Sequence, residues 1–248
     1  MRHLPTCILM ALLLPFSVSA SKWKDALGAV QQATQQQGGA APTLASLSNS
    51  DIAAGLKAAL SQGTRTAVAS LGRNDGFWGN AAARIPMPKP IRKFESLVRG
   101  AGMGGSIDQF HLSLNRAAEQ AVPVAADVFG DAVQKLTLDD VRGILTGPRD
   151  SATQYFKRTT TEKLTAKFRP IVSRATANVG VAQSYKQMVS AAGPFAASLG
   201  ASSDLDGFVT SKALDSLFVQ VAAEEARIRD NPAARTSDIM KRVFAAAK

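Results

Sequence analysis

The chain has 248 residues, 29 Lys and Arg against 19 Asp and Glu, and a single cysteine, which excludes an internal disulfide framework. Aromatic residues are only 6 % of the chain and its apolar share leans on alanine. That balance suits closely packed helices better than a sheet sandwich, because alanine favours helix while strands draw on β-branched and aromatic residues.

Residues 1–20, "MRHLPTCILMALLLPFSVSA", carry Arg2, an apolar run from Cys7 to Phe16 and a small-x-small site at Val18-Ser19-Ala20. This is the pattern of a cleavable export signal, cut after about Ala20, and it predicts a periplasmic protein. The run is far shorter than the roughly 20 apolar residues of a spanning helix, and no later segment supplies them. Cys7 lies inside the run, away from the cleavage point, so lipidation is not expected. Cleavage removes Arg2, His3 and Cys7, lowers the basic excess from 10 to about 9 and leaves His111 as the only histidine. Zinc sites built on Cys and His, and Cys–His nucleophilic pairs, are thereby excluded. Outside the cytoplasm the polyanions available to a basic surface are phospholipid headgroups, anionic envelope polysaccharide and acidic peptides, so nucleic acid is not the expected partner. A solvated basic surface with no dedicated partner is the alternative.

Residues 21–48 read as a mobile arm: a short amphipathic piece, "SKWKDALGAV", then "QQATQQQGGAAPT", which has little to bury. Residues 49–248 read as one all-α domain. "SDIAAGLKAALSQGTRTAVASLG" places Ile52, Leu56, Leu60, Ala67 and Leu71 on one helical face. "GRNDGFWGNAAARIPMPKPIRK", residues 72–93, breaks the helical pattern with a turn signal, two adjacent aromatics and prolines at 86, 88 and 90. Pro90 suits the first turn of a helix with Ile91, Phe94, Leu97 and Val98 on one face, ending at Gly100. A helix from Ser106 to about Ala121 follows, then one over 124–136 with Val124, Val128, Phe129, Val133 and Leu136 inward, and a short one capped at Thr137. "TGPRDS" separates this from "ATQYFKR" and "TTTEKLTAKFRPIVSRATANVG", where Pro170 is expected to bend a helix carrying Leu164, Phe168, Ile171, Ala175 and Val179 on one arc. Leu205 to about Arg229 is apolar almost all round in its middle, the mark of a central helix, and Asn231-Pro232 precedes a last helix with Ile239, Val243 and Phe244. The expected architecture is a single globular bundle of about eight to ten short helices around the helix near 205–229.

The inventory of chemistry is short. His111 sits between Phe110 and Leu112 in a helix, the setting of a structural histidine. The carboxylate pairs Asp139-Asp140 and Glu224-Glu225 are adjacent on helices, where side chains diverge, so capping or solvation accounts for them better than catalysis. "GAGMGGS" has the glycines of a phosphate loop but no preceding strand and no Gly-Lys-Ser/Thr. "SSDLDGFVTSKA" has Asp204, Asp206 and Gly207 at calcium-loop spacing, but Ser202 and Ala213 fill the first and twelfth positions, so a helix cap is the better reading. No metal or cofactor is expected.

Basic residues concentrate between Arg149 and Lys186: eight of them (Arg149, Lys157, Arg158, Lys163, Lys167, Arg169, Arg174, Lys186) against Asp150 and Glu162. On a straight helix Lys163, Lys167 and Arg174 fall within about 40 degrees of one another, beside the apolar arc. Such a stripe either holds an anionic headgroup beside an apolar slot or snorkels over the edge of the core.

"SDIAAGLKAAL", "LGRNDGFWGNAAARIPMP", "LNRAAEQA", "ILTGPRDSATQYFKRTTTEKLTAKFRPIV" and "ALDSLFVQVAAEEARIRDNPAARTSDIMKRVF" resemble the bacterial family catalogued as domain of unknown function 4197, over nearly all of the chain from Ser50 to Phe244. The resemblance implies an exported, mostly Gram-negative helical protein with no established activity. Its loop pattern falls on Asp75, Gly76, Phe77, Asn80, Arg84, Ile85, Pro86 and Pro88; Trp78 stands where an aliphatic residue is more usual, and Ala82 near an expected proline. The loop is either a packed cross-connection whose aromatics plug the bundle or the wall of a groove. In the second reading the candidate binding residues are Phe77, Trp78, Asn80, Arg84, Tyr155, Arg158, Lys163, Lys167 and Arg174. The ligand would be an anionic lipid or other envelope component, or a protein partner, bound without catalysis. The alternative is a hydrolase using carboxylates or the Tyr155 and Arg158 region, without metal or Cys/His chemistry. The sequence leaves the oligomeric state open.

Overall fold

The computed structural model describes residues 43–100, 102, 104–177, 182, 185 and 204–247. By contacts the chain divides into two units, Met1–Ala41 and Pro42–Lys248, of which the second is described below. The expected leader, the arm up to residue 42, Val179, Lys186 and Ser202 lie outside the described residues.

The described residues form helices joined by short 3-10 turns, with no strand among them: the all-α class holds. They are α1 (Asn49–Gly72), α2 (Lys89–Gly100), α3 (Gly104–Ala121), α4 (Ala125–Gln134), α5 (Leu138–Thr146), α6 (Ser151–Ala177), α7 (Leu205–Asp230) and α8 (Asp238–Ala246). Three run 24 to 27 residues and are not short. α6 joins "ATQYFKR" and the following threonine-rich segment in one helix, and Thr159, Thr160, Thr161 and Thr165 each donate their hydroxyl to the carbonyl four residues back instead of disrupting the ladder. Pro170 lies inside it.

Caps fix most helix starts. Ser48 accepts from the Asp51 amide, Thr137 and Asp140 form a reciprocal capping box, and Asp204 accepts from the Gly207 amide. The calcium-like "SDLDG" is thus a cap, and Asp206 is held by the Thr176 hydroxyl at 2.8 Å. α6 is capped from a distance: Glu225 on α7 accepts from the Ala152 and Thr153 amides at 3.0 and 2.9 Å and from the Thr153 hydroxyl at 2.8 Å. A carboxylate there meets the positive end of the helix dipole. At the far end of α7, the buried Arg235 donates to the carbonyls of Ile228 and Arg229 and lies 5.5 Å from the ring of Phe244. Burial pushes its guanidinium below the ordinary value.

α7 packs on α1, α3 and α6, and α1 is further clasped by α8 and α4. Small residues allow the close crossings. A Cβ on Gly55 of α1 would stand 2.5 Å from Val243 Cγ2 of α8. Phe129, Phe156 and Phe218 pack edge to face at the centre, at 5.0 and 6.3 Å. α7 is not enclosed on every side, since Val219 is 62 % exposed. Immediately before α1, Leu44–Ser46 form a 3-10 turn, and Leu44 and Leu47 pack against the core. Among the described residues an apolar crevice between Leu56, Ile144, Phe156, Val221, Ile228 and Phe244 has about 20 Å³ of free space, room for about one water.

Candidate functional site

The loop between α1 and α2 is built by its own backbone and by α3. Asp75 takes a φ of 61°, the left-handed region that Asp tolerates in turns. A Cβ on Gly76 would lie 2.3 Å from the Leu71 carbonyl oxygen, so only glycine fits. From α3, Glu119 accepts from the Phe77 and Trp78 amides through Oε1, at 3.0 and 3.1 Å. Its other oxygen takes Arg116 at 2.6 Å, and Arg116 also reaches Asp75 at 2.7 Å. One turn earlier, Asn115 accepts from the Ile85 amide at 2.8 Å and donates to the His111 carbonyl. His111 Nε2 donates to the Ile85 carbonyl at 2.8 Å, which fixes its tautomer. Asn80 accepts from the Ala82 amide and turns the chain locally.

Of the loop's candidate residues, Phe77 is 0 % exposed and fills the core together with Ile85 and Met87. The Trp78 ring is half-buried, edge-on to His111 at 5.1 Å and covered by the Arg84 guanidinium at 4.8 Å, while Arg84 Nε donates to the Trp78 carbonyl. These contacts occupy the loop's aromatics and its arginine with each other and with α3. None of Phe77, Trp78, Asn80 or Arg84 lines the depressions described here.

Three of the α6 candidates do come together. Tyr155, Arg158 and Lys163 line one surface depression of about 350 Å³ with Lys135, Asp131 and Asp140, and Val128 and Ala132 give it an apolar side. The Tyr155 hydroxyl donates to the Ala132 carbonyl at 2.9 Å, and Arg158 stands 5.8 Å from its ring. Burial, with the charge of Asp140 behind it, raises the affinity of that hydroxyl for its proton. Lys163 bonds Asp131 at 2.5 Å and, with weaker help from Lys135 and Lys167, holds that carboxyl below the usual range. Asp140 is held low by the Thr137 hydroxyl and amide of its capping box. Lys167 is therefore close enough to be felt at the depression without lining it. Arg174, about 16 Å further along α6 than Lys163, lines none of these depressions.

Both ends of the molecule's long resemblance can now be fixed. A family model described as a protein of unknown function (DUF4197) matches residues 46–245. The chain belongs to that family. No curated protein and no solved structure matches it.

The DUF4197 match takes in the loop, the α6 face and the three residues on which the loop hangs. Those three, Asn115, Arg116 and Glu119, were missed in the sequence. Glu119 and Asn115 are buried at 4 % and 0 % exposure on the same helix face as the leucines and alanines of α3. The available signal was a carboxylate and an amide interrupting an otherwise apolar stripe, which requires partners elsewhere. Glu224 and Glu225 are also buried, but they face Arg227, and Arg229 with the α6 amides, rather than a common cavity. Among the described residues no group of His, Cys, Asp and Glu could hold a metal ion.

Proposed function

We propose that this chain is an exported, non-catalytic binding protein whose α4–α6 depression takes the anionic group of an amphiphile or other envelope component. The observation that carries the reading is the convergence of Arg158, Lys163 and Lys135 on one opening, with Lys167 beside it and Val128 and Ala132 as an apolar wall. Lys135 comes from the end of α4 and the other cations from α6; Lys163 is shared with Asp131, which leaves Arg158 and Lys135 to meet an anion from two sides. The export half rests on the leader pattern ending at Val18-Ser19-Ala20. Among the described residues no helix is long and apolar enough to cross a membrane.

A hydrolytic role is not favoured. Carboxylate catalysis needs one carboxyl kept protonated near neutral pH, yet both carboxyls of this depression are held low. The test is flotation of the purified protein with phosphatidylglycerol vesicles and with phosphatidylcholine vesicles. Binding to the anionic vesicles alone, weakened about tenfold or more in Arg158→Gln/Lys163→Gln, is expected. Equal binding to both surfaces, or no effect of the double substitution, would overturn the assignment.

A further inference from the structure

We propose that the groove between α6 and α7 is a second and separate binding site, shaped for a linear acidic oligosaccharide. α6 and α7 run antiparallel here: Arg169 pairs with Asp204 at the start of α7, and Lys157 lies 5.9 Å from the ring of Phe218, further along it. Between them the surface opens into a trough of about 340 Å³. Lys157 and Arg169 line its two ends, about 18 Å apart for twelve residues of helix rise. Arg169 meets Asp204 with one nitrogen at 2.6 Å and has further N–H donors for a ligand. Lys157 has no ion-pair partner among the described residues.

The middle of the trough has a different character from its ends. Thr161 and Thr165 line it, and each uses its hydroxyl proton on its own helix, at 2.6 and 2.8 Å. What they turn outward is lone pairs. Asp215, on the rim and paired with Lys212 at 2.9 Å, adds carboxylate oxygens. Ser211 lines it as well, with a hydroxyl that gives or takes a bond, so the trough favours a ligand with hydroxyls in its middle and negative charge at its ends. A bare phosphodiester, which only accepts, satisfies the ends and leaves Thr161, Thr165 and Asp215 in the middle unmatched. A chain of sugar hydroxyls bearing carboxylates satisfies both.

Thr210 supplies an independent observation. It lines the same trough at 1 % exposure, and its Oγ1 is a buried side-chain atom without a hydrogen-bond partner. Buried helix threonines elsewhere, Thr64 and Thr160, bond the carbonyl four residues back. Thr210 does not, although a buried polar atom is normally satisfied. Helical threonine has two accessible χ1 wells, so this hydroxyl can turn to a ligand that gives or takes one bond.

The experiment is calorimetric titration of the full-length protein with tetragalacturonate, maltotetraose and inorganic phosphate. Tetragalacturonate is expected to bind at least tenfold tighter than either of the others. Lys157→Gln and Arg169→Gln should each weaken it about tenfold, and Thr210→Val about threefold with no loss of melting temperature. Comparable binding of maltotetraose or phosphate, no binding of any of the three, or full affinity in Lys157→Gln and Thr210→Val would overturn the proposal. The Arg158→Gln/Lys163→Gln protein separates the two sites. It should bind tetragalacturonate normally, and loss of sugar binding there instead would refute a second site without touching the first.

Discussion

A single buried carboxylate, Glu119, sets the conformation of the loop between α1 and α2, since two consecutive amides, Phe77 and Trp78, converge on one of its oxygens. Glu119→Ala leaves both donors and the Arg116 guanidinium without their partner, and it is expected to cost about 2–4 kcal/mol in denaturant unfolding. Trp78 fluorescence should change in the native baseline, because its ring leaves the Arg84 and His111 contacts. An unaltered spectrum with full stability would contradict the role given to Glu119. Asp140 gives a prediction in pH. Its folded carboxyl titrates below the unfolded value of about 4, so its contribution is complete above that pH and disappears as pH falls through the folded value. Asp140→Asn should flatten the acid limb of the stability curve, measured by urea unfolding between pH 2 and pH 7, and an unchanged limb would refute it. At this scale the sequence was uneven. Helix spacing grouped Lys163 with Lys167 and Arg174, of which only Lys163 lines the depression; Arg158 and Tyr155, about one and two turns earlier on the same helix, complete it instead. Glu119 and Asn115 were not legible, because their partners lie 30 to 42 residues away in a loop.

Helices in this fold are completed by one another. α6 starts where Glu225 of α7 receives its first amides, so Glu225→Ala should destabilise the protein by about 2–4 kcal/mol. Amide exchange should rise first around Ala152 and Thr153; uniform loosening of the whole chain would argue against a local cap. The α1–α8 crossing depends on the missing side chain of Gly55. Gly55→Ala drives a methyl into Val243 and should cost about 1–3 kcal/mol, despite alanine's better helix propensity. A rise in melting temperature would show that the crossing is looser than the geometry requires. Apolar periodicity announced α1 and the Thr137 cap announced α5, because those signals are local, whereas Ser106, expected to open α3, lies two residues inside it. At "KRTTTEK" the inward packing of Phe156, Thr160, Leu164 and Phe168 keeps α6 continuous through three threonines of weak helix propensity.

At the scale of the molecule, alanine-rich faces and the lack of alternating patterns pointed to an all-α fold, and a low aromatic content is matched by a centre built on a few phenylalanines. Ahead of α1, Leu44 and Leu47 pack on the core, and the family match begins at residue 46. Among the described residues an apolar crevice has room for about one water, while two of the larger depressions bear cations of α6. The central claim is that the α4–α6 depression holds an anionic molecule. Native mass spectrometry of the protein purified from its own envelope fraction, beside Arg158→Gln/Lys163→Gln, tests it most directly. The account predicts an anionic amphiphile or envelope component retained by the native protein and lost from the variant. A bare protein, or a ligand kept equally by both, would contradict it.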